Sequence, residues 1–147
     1  MMTTTPLPEL DVAWTPMPGA LPALHADVAT TGLVLVCQAV RDAGGRLVSL
    51  WGEGGGERGY RLCVVLELGE QLLVVEHPMN SDAPGYPDLS AIFPSASRLQ
   101  RATFDLLGIH ALGGDARPWL RHSAWTADTF PLRAGAANAT APAQREP

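Results

Sequence analysis

Few residues of this 147-residue chain stand at spacings that could do chemistry. The densest group is Gly52-Glu53-Gly54-Gly55-Gly56-Glu57, which has the glycine content of a phosphate cradle. It lacks the Gly-Lys-Ser/Thr ending of a P-loop, and it joins two expected strands rather than a strand and a helix. A flexible hairpin is the expected role. His25, His77, His110 and His122 are scattered, with no histidine or cysteine partner at metal-ligand spacing. His110 and His122 could converge on Asp115, although local loop or interface roles are preferred. Cys37 and Cys63 lie in apolar runs and read as buried free thiols of a reducing compartment. Ser81, Ser90, Ser95 and Ser97 sit in no nucleophile elbow. Asp82, Asp88, Asp105, Asp115 and Asp128 show no spacing that selects a general acid–base pair. No catalytic, cofactor-binding or metal-ligating set is therefore assigned, and no activity of the chain's own is expected.

One pair does have helical spacing. Arg101 and Asp105 are four residues apart, which suits either a surface ion pair worth a few tenths of a kcal/mol or a clamp on the segment after Gly108. The pattern does not separate the two. Downstream, residues 109–133 carry Arg117, Trp119, Arg121, Trp125, Phe130 and Arg133 without regular periodicity. Exposed Trp and Arg on an irregular segment have the composition of interface anchors.

The elements that must position these residues follow from periodicity and breakers. Residues 1–24 hold Pro6, Pro8, Pro16, Pro18 and Pro22 and are expected to form an irregular arm anchored by Trp14 and Met17. Residues 25–108 form the expected α+β core. Thr30 or Thr31 would cap a helix carrying Leu33, Val36, Cys37 and Val40, and Gly44-Gly45 would end it. Arg46–Trp51, Tyr60–Leu68 and Leu72–His77 read as strands of an antiparallel meander, with a glycine-rich turn over Gly52–Gly59. After a long loop from Pro78 to about Pro94, a second helix runs from Ser95 or Ser97 to Leu107 and stops at Gly108. The predicted architecture is thus a sheet of three or more strands, antiparallel or mixed, packed with two helices. It is followed by an extended partner-binding segment at 109–133 and a disordered tail at 134–147.

Bulk properties narrow the partners. The net charge is −5, and all ten basic residues are arginine, so nucleic acid is not an expected ligand. No apolar run approaches the ~20 residues of a membrane span. The N-terminus has neither a basic n-region nor an apolar h-region, so a cytoplasmic location is expected.

The residues from Phe93 onward resemble a known family. Phe93-Pro94-Ser95-Ala96, then Arg101, then Phe104-Asp105-Leu106-Leu107-Gly108-Ile109, is similar to the signature of the 30-kDa (C) subunit of respiratory complex I. It also resembles the matching domain of membrane-bound, energy-converting nickel–iron hydrogenases. The family pattern reads Glu-Arg-Glu, two residues, Asp, two residues, Gly-Ile. This chain has Gln100 and Ala102 at the two glutamates. The family's following Gly-His-Pro-Asp stretch is Gly113-Gly114-Asp115-Ala116-Arg117-Pro118 here, without the His-Pro. Pro131-Leu132-Arg133 matches, but Ala134 replaces the usual basic residue. The Leu-Leu-Gly form and the His122…Trp125…Pro131-Leu132-Arg133 spacing look closer to the formate-hydrogenlyase-like hydrogenase branch.

The resemblance implies a subunit without its own iron–sulfur cluster or flavin. It would dock on a large (49-kDa or hydrogenase-large-type) subunit beside an iron–sulfur subunit, on the cytoplasmic face of a membrane that it reaches only through partners. Iron–sulfur clusters and a nickel–iron centre would belong to those partners. Arg101, Asp105 and Gly108 would be structural. Arg117, Trp119, Arg121, Trp125 and Arg133 would bind the partner. The close rival is the C subunit of an NADH–quinone oxidoreductase, and the rival of another class is a stand-alone binding or assembly module.

Overall fold

The computed structural model describes residues 10–80 and 82–134. Its centre is the expected meander: β3 (Arg46–Gly56), β4 (Gly59–Leu68) and β5 (Gln71–Met79), all antiparallel. Two strands that local signals did not show extend it. The segment expected to be an irregular arm contributes β1 (Thr15–Met17), and β2 (Ala23–Asp27) follows it. β2 pairs parallel with β5, so the sheet is mixed, in the order β1-β2-β5-β4-β3. Pro16 is tolerated because β1 is an edge strand with no further neighbour to bond.

Alternation along β4 separates two faces. Leu62, Val64, Leu66 and Leu68 point to one side and join a single apolar core with Leu73 and Val75 of β5. Helix α1 (Thr30–Asp42) adds Leu33, Val36, Cys37 and Val40 to that core, and α2 (Ala96–Leu107) adds Ala96 and Leu107. Both helices therefore cover the same face. Neither expected threonine caps α1. Its N-cap is Ala29, with no side-chain hydrogen bond, and burial of the apolar stripe holds the helix instead. Cys63 lies on the other face and stays outside this core, although it is only 2% exposed.

The glycine-rich stretch is not the expected flexible turn. β3 continues through it to Gly56, and only Glu57 and Arg58 make the turn. Two of the glycines, Gly52 and Gly54, lie under the end of α2 and the residue that follows it, while Gly55 takes a positive φ of 81°. A Cβ on Gly52 would lie 2.6 Å from Ile109 and 2.9 Å from Leu107, and one on Gly54 would lie 2.8 Å from Leu107. The loop after β5 also holds a short strand, β6 (Gly85–Pro87), which pairs parallel with β7 (His110–Leu112) just past α2.

Candidate partner-binding surface

Helix α2 is the scaffold of the site. Its strongly one-sided polarity buries Ala96, Gln100, Thr103, Asp105 and Leu107. Gly108 ends it in the left-handed region at φ 71°, and its N–H bonds the Phe104 carbonyl at 2.7 Å. A side chain at 108 would also collide with the Arg133 guanidinium and the Phe130 ring. The glycine thus serves both the turn and the close passage of the returning chain.

Arg101 and Asp105 do not pair with each other; each takes hold of backbone. Arg101 donates from Nε to the Arg117 carbonyl at 2.7 Å and from Nη2 to the Pro118 carbonyl at 2.8 Å. Asp105, 1% exposed, accepts the N–H of Trp119 at 2.7 Å and of Leu120 at 2.6 Å through one oxygen. Two adjacent side chains of α2 therefore fix residues 117–120 through four charge-assisted bonds. The rings follow the backbone. Trp119 lies 5.1 Å from the guanidinium of Arg98 and 5.1 Å from that of Arg101, and it remains 47% exposed.

Further along, the segment folds back on its own helix rather than reaching away as an extended arm. Leu132 N–H bonds the Leu106 carbonyl at 3.0 Å, and Arg133 Nε bonds the Leu107 carbonyl at 2.8 Å. Ala134 N–H reaches the Gly54 carbonyl at 2.9 Å. Arg133 stacks over Phe130 at 4.5 Å and Tyr60 at 5.5 Å. Arg121 bonds the carbonyls of Thr126 and Thr129 and lies near the rings of Trp125 and Phe130. The eight singled-out residues accordingly fall into two groups. Arg101, Asp105, Arg117 and Trp119 meet on the flank of α2. Gly108, Arg121, Trp125 and Arg133 gather around Phe130 at its C-terminal end. The tail beyond Ala134 lies outside the described residues.

Two further residues complete the site: Gln100, known from the sequence only as a departure from the family pattern, and Arg98, which sequence reasoning passed over. Gln100 is 3% exposed; its Oε1 accepts Leu89 N–H at 2.8 Å and its Nε2 donates to Asp88 Oδ1 at 2.7 Å. Asp88 also accepts the Ser90 N–H and hydroxyl, each at 2.9 Å. Burial alone would raise the Asp88 pKa, but the Gln100 and Ser90 bonds outweigh it and hold it down. The position where the family pattern has glutamate thus needs a donor here, because it faces a carboxylate. The aspartate was visible in the sequence; its distance from Gln100 hid the pairing. Arg98, one turn before Arg101, was not singled out at all.

The remaining candidates resolve locally. His122 Nδ1 accepts the Ala124 N–H at 3.0 Å, and His110 lines one pocket with Asp115 but packs on the Phe104 ring at 4.5 Å, so the two histidines do not form a set on that carboxylate. Arg117 grips Asp115 through both carboxylate oxygens and holds its pKa well below the usual range. His77 Nδ1 meets the Val28 carbonyl at 2.8 Å inside the core. On the uncovered sheet face, His25, Asp27 and Glu76 lie together, as do Glu53, Cys63 and Glu76, close enough to hold a cation. Guanidiniums already serve that purpose: Arg61 contacts Asp27 and Glu76, and Arg58 contacts Glu53 and Glu76.

Comparison with known proteins gives a consistent answer. The family model of the respiratory-chain NADH dehydrogenase 30 Kd subunit matches residues 26–140. A search of curated proteins found no match. Among solved structures, a trypsin-resistant fragment (1–134) of Nqo5 superposes with a TM-score of 0.57 at 15% identity, covering 68% of this chain and 86% of that one. A chain of the archaeal membrane-bound sulfane sulfur reductase, a respiratory membrane complex, gives 0.63 at 17% identity, covering 83% of this chain and 75% of that one. Both share the α+β fold.

Proposed function

We propose that this chain, which belongs to the 30 Kd subunit family of the respiratory-chain NADH dehydrogenase, is a non-catalytic subunit of a membrane-associated respiratory redox complex. It docks on the large subunit of that complex through residues 109–133. The observation that carries the reading is how the loop is held. Arg101 and Asp105 spend four charge-assisted bonds on its backbone, yet Trp119 and Leu120 are left 47% exposed each. A loop fixed in advance loses little conformational entropy on binding, and exposed Trp is the residue type most enriched among interface anchors. Among the described residues no helix is long and apolar enough to cross a membrane, which suits attachment through partner subunits. Electron carriers, iron–sulfur clusters and a nickel–iron centre among them, belong in this reading to the partners.

The spacing of His122, Trp125 and Pro131-Leu132-Arg133 favours a hydrogenase-like complex over an NADH-oxidising one. A mild-detergent purification of the tagged chain from its own cells tests both levels. Mass spectrometry and metal analysis should find a large subunit with nickel and iron. A copurifying flavin-containing, NADH-oxidising module would move the assignment to the complex I branch. A lone 15.6 kDa species would overturn the subunit reading altogether.

A further inference from the structure

The flank of α2 carries a cavity that the docking loop does not fill. It has a volume of about 550 Å³, lies open to solvent, and is lined by Ser95, Ser97, Arg98, Arg101, Asp115 and Arg117, with Pro94 at its edge. Three guanidiniums from two separate elements face one carboxylate, a local charge of +2 on a chain whose net charge is −5. Each cation is engaged to a different degree. Arg117 is neutralised by Asp115. Arg101 uses Nε and Nη2 on carbonyls and keeps Nη1. Arg98 makes no hydrogen bond or ion pair among the described residues; its one partner is the face of Trp119. The helix end itself contributes little, since the N–H groups of Ala96 and Ser97 already bond the carbonyls of Phe93 and Pro94.

We infer that this cavity receives the carboxylate side chains of an acidic segment of the partner subunit. The proposal rests on the docking reading above and names the chemistry of the partner at one place. The charge calls for an anion, and the neighbouring surface selects the kind. Trp119 forms an apolar wall beside the arginines, with Leu120 next to it and also 47% exposed. A protein segment with acidic and apolar side chains uses both features, whereas a free inorganic anion uses only the guanidiniums. Guanidinium donors are suited to paired bonds with carboxylates, and Arg98 can supply them without giving up any existing bond.

The test uses the assembled complex bound through a tag on this chain, dissociated by rising salt. Arg98→Glu places a carboxylate where the partner's would sit and should weaken retention of the large subunit about tenfold or more at low salt. Arg98→Lys should retain only part of it, because the charge stays while the paired donors and the flat stack on Trp119 are lost. Arg46→Glu is the control, because Arg46 is exposed on β3, away from α2, and pairs with Glu67. Circular dichroism should show both glutamate variants folded, since Arg98 holds no bond that the fold needs. If the wild-type chain retains its large subunit and Arg98→Glu retains it equally well, the acidic-segment inference is overturned while the subunit reading stands. If wild type retains nothing, the subunit reading itself falls, and this inference with it. If inorganic phosphate saturates the cavity yet releases the large subunit no better than chloride of equal ionic strength, no partner carboxylate occupies it, and the inference is also overturned.

Discussion

Gln100 shows how a single residue can look like a loss and be a replacement. At this position glutamate would point an acid at Asp88, whose Oδ1 lies 2.7 Å from the Gln100 amide nitrogen. Gln100→Glu should therefore cost about 1–3 kcal/mol at neutral pH, measured by urea unfolding. The pH dependence has a definite sign. In the wild type Asp88 has a depressed folded pKa, so its stabilisation is complete above the ordinary value of 3.8 and fades as pH falls through the folded one. In the variant two carboxylates at this distance cannot both ionise, so one pKa rises and the deficit shrinks on acidification. A variant whose deficit is independent of pH would show that Asp88 does not face residue 100. The thiols permit a second test. Burial pushes Cys37 up to about 12, and burial assisted by Glu53 and Glu76 pushes Cys63 to about 12. Thiolate is the reactive form, so neither should react with a thiol reagent at neutral pH until the chain unfolds. Rapid labelling of native protein at Cys63 would mean that the uncovered sheet face opens.

At the scale of elements, α2 and β3 are fitted to each other through missing side chains. Gly52→Val puts atoms where Leu107 and Ile109 already lie and should destabilise the fold by about 1–3 kcal/mol. Gly56→Val, with nothing within 4 Å of its Cβ, should be nearly neutral on the same denaturation assay. Equal effects at both sites would mean that α2 does not rest on β3. These glycines also show what sequence patterning reveals and what it conceals. The meander, both helices and the stop at Gly108 follow from local signals: apolar period, turn glycines and a breaker. Glycines in a row carry the same local signal whether they form a flexible turn or a strand under a helix. Only the tertiary contact distinguishes the two. β2 was hidden for a related reason, because parallel pairing with β5 joins segments some fifty residues apart and leaves no hairpin signature. In the candidate site, the Arg101–Asp105 spacing marked the right residues but not their partners. Backbone carbonyls and N–H groups of residues 117–120 have no side-chain identity to read.

At the scale of the whole molecule, the question is whether the loop is part of the fold or a surface prepared for another chain. Two substitutions on the same clamp separate these possibilities. Asp105→Ala removes the two charge-assisted bonds that the N–H groups of Trp119 and Leu120 make to its carboxylate, at a cost of about 1–3 kcal/mol. Hydrogen exchange should then speed up at residues 119 and 120, and assembly should weaken because the loop is no longer held ready. Trp119→Ala keeps the clamp, which uses the backbone of that residue, and removes a side chain already 47% exposed. The isolated chain should unfold at nearly the same urea concentration as wild type, while affinity for the large subunit drops by about 2 kcal/mol or more. Trp125 sits closer to its own chain, beside Arg121 at 5.8 Å and only half-buried, so Trp125→Ala should cost the isolated chain more stability than Trp119→Ala does. The decisive comparison is Trp119→Ala in both assays. Lost assembly with unchanged stability identifies a surface kept for a partner. Lost stability with unchanged assembly would mean that the Arg98–Trp119–Arg101 stack serves the fold alone.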